Sequence, residues 1–106
     1  MIPIEKVQDI IAKHDKLEKD LSSGSVDPKI FAQKSKEYSN LGSIIFYANE
    51  YVKFDNEISD LENIINDKSN DTEMVEMAEK DLNELKIKKI NYENRLKIFL
   101  LPKDED

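Results

Sequence analysis

The feature that most constrains the fold is a helical pattern of apolar residues that runs from Pro28 to Asn66 without an internal proline. Apolar side chains recur there at steps of three and four, the spacing that places them on one face of an α-helix. At 1.5 Å per residue, a helix of this length would measure roughly 58 Å. Such a rod does not fit inside a compact globule of 106 residues, so the sequence predicts an elongated molecule.

A second pattern of the same kind extends from about Thr72 to Phe99, and Pro102 follows it. The polar stretch 67–71 that separates the two patterns is short, and a short connection makes consecutive helices antiparallel neighbours. Within it, Asn70 followed by Glu73 resembles a capping box that begins the next helix. We therefore predict a long helical hairpin whose apolar stripes face each other.

A shorter amphipathic segment at about 4–22 precedes the hairpin and should cover its seam near the open end. Gly24 suits the left-handed position just past a helix end, while Asp27 and Pro28 suit an N-cap and a first helical position. Gly42 is a weak point in the long second helix. The predicted fold class is all-α: an elongated three-helix bundle built on a long antiparallel helical hairpin, with helices at about 4–22, 28–66 and 72–99 in a single domain, 1–106.

The formal net charge of −7 is unevenly distributed. Residues 54–84 hold eleven acids and two lysines, a net −9, whereas residues 85–103 hold six cations and one acid, a net +5. In an antiparallel hairpin the acidic block collects at the closed tip. It is either a solvated surface or a docking surface for a basic protein. The candidate docking residues are Asp67, Asp71, Glu73, Glu76 and Glu79.

The remaining polar and sulfur-containing residues do not form a recognisable chemical site. The chain has no Cys, and its one His, His14, lies on the apolar face of the first segment, where a structural imidazole is the better interpretation. Without a phosphate-binding glycine loop or a metal-ligand motif, the sequence predicts no catalytic residue, no cofactor and no metal. We interpret the basic block as solvated surface, and Met74 and Met77 as gap-filling residues.

The sequence also contains no signal peptide, and no apolar run approaches the ~20 residues that cross a bilayer. We therefore expect a cytoplasmic protein with no membrane partner.

Three segments resemble bacterial class I peptide chain release factors. Residues 71–82 (DTEMVEMAEKDL) resemble the D-x-E-M-x-E-M-A-x-x-E-L segment of that family, Lys36–Leu41 matches its E-Y-x-x-L pattern, and residues 100–104 (LLPKD) resemble the ending of the family's N-terminal helical domain. This ending favours the release factor 1 branch. The resemblance spans nearly the whole chain and is weak before Asp27.

The resemblance implies the ribosome-docking N-terminal domain of a protein that recognises stop codons and directs peptidyl-tRNA hydrolysis in translation termination. The family's Gly-Gly-Gln tripeptide and its codon-reading motif do not occur in this sequence, so the resemblance transfers no catalytic residue. The implied partners are the GTPase-associated region of the large ribosomal subunit and the GTPase that recycles release factors. No small-molecule substrate and no direct DNA binding are expected.

Two other interpretations stay open at this point. One is a self-standing antiparallel coiled-coil adaptor that binds a protein partner, and the other is a small helical enzyme.

Overall fold

The structure is a computed structural model that describes residues 2–24 and 27–102. The described residues form four α-helices and no β-strand: α1 (Ile4–Ser22), α2 (Pro28–Gly42), α3 (Ile45–Asn66) and α4 (Thr72–Leu100). The predicted all-α class is confirmed. Residues 25–26, between the first two predicted helices, and the charged residues 103–106 lie outside the described part of the chain.

The molecule is elongated, as the length of the apolar patterns predicts. Its principal extents are 61 × 36 × 18 Å and its Cα radius of gyration is 18.9 Å. A compact domain of this length would have a radius of gyration of about 13 Å. The shape comes from α3 and α4, which pack antiparallel along their lengths.

The prediction of one continuous helix over 28–66 is wrong, because the helix ends at Gly42 and a new one begins at Ile45. Glycine has a low helix preference, and the Ser43 hydroxyl donates to the Asn40 carbonyl at 2.7 Å, a local bond that competes with the helix. The Ile44 N–H then bonds the Leu41 carbonyl, three residues back, at 3.0 Å. The bundle therefore has four helices where three were predicted.

The break has a packing consequence at the open end of the hairpin. Ile44 is only 5% exposed, and α2 turns away from the axis of α3 to pack mainly against α1. The main core joins all four helices at this end, as expected for a first helix that covers the seam. Its members are Ile2, Val7, Ile10, Leu17, Leu41, Ile44, Ala48, Tyr51, Phe54 and Leu96.

The predicted starts and stops of the helices are largely confirmed. Gly24 has φ +71°, and the Asp27 carboxylate accepts from the Lys29 N–H at 2.9 Å, ahead of Pro28 at the first helical turn. The predicted cap at Asn70 is wrong. Asp71 caps α4 by accepting from the Met74 N–H at 2.8 Å.

The two glycines are expected to respond oppositely to alanine. A Cβ at Gly42 would meet nothing within 4 Å on a backbone that alanine adopts, so Gly42→Ala should raise the free energy of unfolding by about 0.5–1 kcal/mol. At Gly24 the positive φ makes alanine strained, so Gly24→Ala should lower it by about 1–2 kcal/mol. Urea unfolding followed by circular dichroism measures both changes. Equal effects of the two substitutions would contradict this assignment of backbone conformations.

Candidate docking site at the hairpin tip

The turn between α3 and α4 uses two of the predicted docking residues as structural groups. Asp67 accepts from the Ser69 hydroxyl at 2.6 Å and from the Ser69 N–H at 2.9 Å, and these bonds lower the pKa of the Asp67 carboxyl. Asp71 is occupied as the N-cap of α4. The Asn70 side-chain amide ties the turn to α3 by donating a hydrogen bond to the Ile64 carbonyl at 2.9 Å. The turn is therefore held by local hydrogen bonds, which fix the start of α4.

The other three predicted residues lie on the first turns of α4. Glu73, Glu76 and Glu79 are exposed and follow one another at three-residue steps, so they share one side of the helix. Ala78, which is 4% exposed, points the other way, toward α3. The structure thus brings these three carboxylates together on an outward-facing surface, which we call the acidic tip surface.

The prediction that Met74 and Met77, beside this surface, fill gaps in the core is wrong. Met74 and Met77 are 47% and 62% exposed, so neither fills a gap in the core. They place flexible, polarisable side chains next to the carboxylates. Such side chains adapt readily to a partner's contour.

An acidic groove that the sequence did not predict lies further along the hairpin. Glu57 and Asp60 of α3 and Asp81 and Glu84 of α4 line a shallow groove of about 460 Å³, together with Leu61, Leu85 and Lys88. The groove could have been predicted from the register of the hairpin, because an antiparallel hairpin brings together residues that are about equally distant from the turn. The groove extends the negative potential of the acidic tip surface toward the middle of the molecule.

The open end of the hairpin is fixed by polar contacts between α3 and α4. The Tyr51 hydroxyl donates to the Glu93 carboxylate at 3.0 Å, and Lys89 pairs with Asp55 at 2.8 Å. Tyr92 of α4 packs edge-on to Tyr47 of α3, with ring centroids 4.9 Å apart. These contacts set the register of the two helices and hence the position of the tip.

Tyr51 gives the open end an expected response to alkali. Burial, reinforced by the Glu93 carboxylate, raises the pKa of Tyr51 to about 12 from its ordinary 10.0. Because the folded pKa is the higher one, this contribution to stability is present below pH 10.0 and is lost as the pH rises through about 12. Between about pH 8 and about pH 11, the urea midpoint of the native chain should therefore fall further than that of Tyr51→Phe. Parallel declines would contradict the contact.

His14 has the structural role that its position predicts. Its side chain is 14% exposed, and its ring stacks on Tyr38 with centroids 4.7 Å apart. The nearby Asp15 and Glu18 could approach a cation together with His14, since the three potential ligand atoms lie within 4.8 Å of one another. Both carboxylates are exposed, and exposed acidic groups of this kind are common at protein surfaces. We assign no metal to this cluster.

Across the part of the chain that the structure describes, no helix combines the length and apolar character needed to traverse a lipid bilayer.

The fold defines an elongated all-α domain in which a helical hairpin holds an acidic surface away from the main core. The chain belongs to the PCRF domain family, whose sequence profile matches residues 10–106. The resemblance to class I release factors is thereby confirmed.

Individual relatives carry the same description. The chain is 51% identical over 99% of its length to peptide chain release factor 1 of Pelagibacter ubique (strain HTCC1062). It is 39% identical over 94% of its length to the protein of the same name from Streptococcus agalactiae, and 38% identical over 94% to that of Streptococcus pyogenes serotype M5 (strain Manfredo). The chain spans 28–29% of the length of these relatives. No solved structure matches the chain significantly.

Proposed function

We propose that this chain is the ribosome-docking domain of a peptide chain release factor 1 that acts in translation termination in the cytoplasm. The observation that carries the proposal is the 51% identity to a peptide chain release factor 1 over 99% of the chain. The adaptor and enzyme alternatives are not favoured, because the relatives that match across the chain bear the release factor name.

The contribution of this domain is geometric rather than chemical. Half-buried apolar residues of α3, among them Ile58, Leu61 and Ile65, face half-buried residues of α4 such as Val75 and Leu82 beyond the main core. Two helices packed along their length resist bending more than one helix does. The hairpin can therefore hold its tip at a fixed distance from the open end. Under this proposal, the hydrolytic and codon-reading groups belong to other parts of a full release factor.

The proposed docking surface is the acidic tip surface, Glu73, Glu76 and Glu79, with Met74 and Met77 beside it. A cluster of exposed carboxylates repels bare phosphate and attracts basic protein surfaces. The partner we propose is a basic protein surface in the GTPase-associated region of the large ribosomal subunit. The recycling GTPase is a second candidate for the same surface. Asp67 and Asp71 act indirectly, by holding the turn.

The test measures binding of the fluorescently labelled chain to purified bacterial ribosomes by anisotropy. We expect Glu73→Gln/Glu76→Gln/Glu79→Gln to weaken binding by about tenfold or more, since each lost surface charge pair contributes up to about 1 kcal/mol. The matched control, Glu5→Gln/Asp9→Asn/Glu18→Gln, removes the same number of exposed acids from α1. It should leave the affinity within about twofold. Equal losses in both variants would refute docking through the tip.

A further inference from the structure

α4 is apolar on two opposite sides. One side faces α3 and the core through residues such as Leu85, Leu96 and Phe99. The other side carries Ile87, Ile90 and Ile98, which are 62%, 59% and 70% exposed. Ile87 and Ile90 are one turn apart, and Ile98 lies eleven residues, or three full turns, beyond Ile87. The three lie on one side of the helix over about 16 Å, with the exposed Asn91 and Asn94 between Ile90 and Ile98, and we call them the outer isoleucine stripe.

No described element covers this stripe. The extensive helix contacts of α4 are with α3, on the opposite side. Leu101, which is 63% exposed, continues the apolar line past the end of α4. Isolated exposed apolar side chains are ordinary, but several aligned on one helix face mark a contact surface.

Cations flank the outer isoleucine stripe on both sides. Helical geometry places Lys86 and Lys97 along one edge, eleven residues apart, and Lys88 and Arg95 along the other, seven residues apart. All four are exposed. Lys88 lies 5.5 Å from the centre of the Tyr92 ring and also lines the acidic groove beside Glu84, and Arg95 lies 4.8 Å from the centre of the Tyr47 ring.

Two acidic residues lie in this part of α4: Glu84 is exposed one turn before Ile87 and lines the acidic groove, whereas Glu93 is turned toward α3. The Glu93 side chain is 16% exposed and accepts a hydrogen bond from Tyr51 of α3. Glu93 also pairs with Lys97 at 3.2 Å, so Lys97 contributes less to the positive charge beside the stripe than Lys86 and Arg95 do. The surface thus combines exposed isoleucines with an excess of flanking cations, the complement of an acidic amphipathic helix.

We propose that the outer isoleucine stripe docks an acidic amphipathic helix of a protein partner. Apolar residues of that helix, at steps of three and four, would pack on Ile87, Ile90 and Ile98, and its Asp and Glu residues would meet the cations of both edges. This surface is separate from the acidic tip surface and has the opposite charge. Two docking surfaces of opposite sign would allow the domain to contact two different partners.

The chemistry of the stripe favours a helix over the other possible occupants. RNA is bound by cations combined with free flat rings on which bases stack, whereas here the Tyr92 and Tyr47 rings carry Lys88 and Arg95 over their faces and the exposed apolar groups are branched aliphatic side chains. A second copy packed antiparallel on the same stripe would bring Lys88 of one copy close to Arg95 of the other, which is repulsive.

The test titrates the 106-residue chain with a labelled helical peptide of about five turns, with leucines along one face and glutamates elsewhere. The control peptide has lysine in place of every glutamate. We expect the glutamate peptide to bind, and Ile87→Ser/Ile90→Ser/Ile98→Ser to weaken it at least about tenfold. Lys86→Glu/Lys88→Glu/Arg95→Glu should reverse the preference in favour of the lysine peptide. Circular dichroism checks that these surface variants remain folded.

Each other outcome overturns the proposal. Equal binding of the two peptides, or serine variants that bind as tightly as the native chain, would remove the stripe from the contact. Displacement of the peptide by a poly(U) oligonucleotide that also binds the serine variant would assign the surface to RNA. A dimer in sedimentation velocity that the serine substitutions dissociate would assign it to a second copy. If a longer release factor that contains this domain does not bind the peptide, the stripe would be assigned to a contact within that protein.

The tip variant Glu73→Gln/Glu76→Gln/Glu79→Gln separates this proposal from the proposed function. It should leave peptide binding within about twofold, because its charges lie about five to seven turns from Ile98 and at least about 12 Å from Ile87 along α4, beyond the Debye length of about 8 Å. Loss of ribosome binding with unchanged peptide binding would then show that the two surfaces act independently.

Discussion

Leu96→Asp is expected to lower the melting temperature of the chain by about 12 °C or more. Leu96 is 0% exposed and belongs to the core cluster that includes buried residues of α1, α2 and α3. An aspartate there would bury a charge among apolar side chains, none of which can pair with it. An unpaired buried charge costs about 3–5 kcal/mol, a large part of the about 5–15 kcal/mol that stabilises a domain of this size.

Thermal unfolding monitored by circular dichroism measures this effect. The matched control is Ile98→Asp, two residues further along α4, where the side chain is 70% exposed. That substitution should change the free energy of unfolding by no more than about 0.5 kcal/mol. Similar melting temperatures for the two variants would show that Leu96 does not join α4 to the core.

Phe54→Ala is expected to have the second largest effect. Phe54 is 2% exposed and is the largest fully buried side chain among the described residues. Its ring lies 5.4 Å from that of Tyr92 and 6.2 Å from that of Tyr51, so it links the two helices of the hairpin. Removal of a buried phenyl ring leaves a cavity and costs about 3–5 kcal/mol.

A comparison of the free energies of unfolding of Phe54→Ala and Phe46→Ala, measured with urea, isolates the effect of burial. Phe46 also contacts Tyr92, at 6.2 Å between centroids, but it is 56% exposed. We expect Phe46→Ala to cost less than about 1 kcal/mol, because its ring is mostly in water already. A larger loss at Phe46 than at Phe54 would place the aromatic core elsewhere.

The sequence predicts the helical class and the hairpin because both follow from local signals. The apolar spacing, the polar stretch at 67–71 and Pro28 each act within a few residues, and the structure confirms what they indicate. The break at Gly42 was foreseen only as a weak point. Whether a glycine interrupts a helix depends on what the following residues can bury, and here Ile44 gains a place in a core built from distant residues.

The candidate site shows the same division between local and long-range effects. The charge pattern placed five acids at the tip, but it could not distinguish carboxylates that hold the turn, such as Asp67, from those that face solvent, such as Glu76. That distinction depends on hydrogen-bond geometry. The sequence also did not show that α4 exposes apolar residues on the side opposite α3, because helical periodicity alone does not show which apolar face lacks a neighbour. Leu82, placed in the apolar stripe by its spacing, is half-buried in the structure.

Small-angle X-ray scattering of the chain, extrapolated to zero concentration, tests most directly that the hairpin projects its tip away from the core. The structure predicts a radius of gyration near its Cα value of 18.9 Å and a longest dimension of at least 61 Å. A radius of gyration near 13 Å, the value for a compact domain of this length, would contradict an extended arm and with it the proposed docking through the tip.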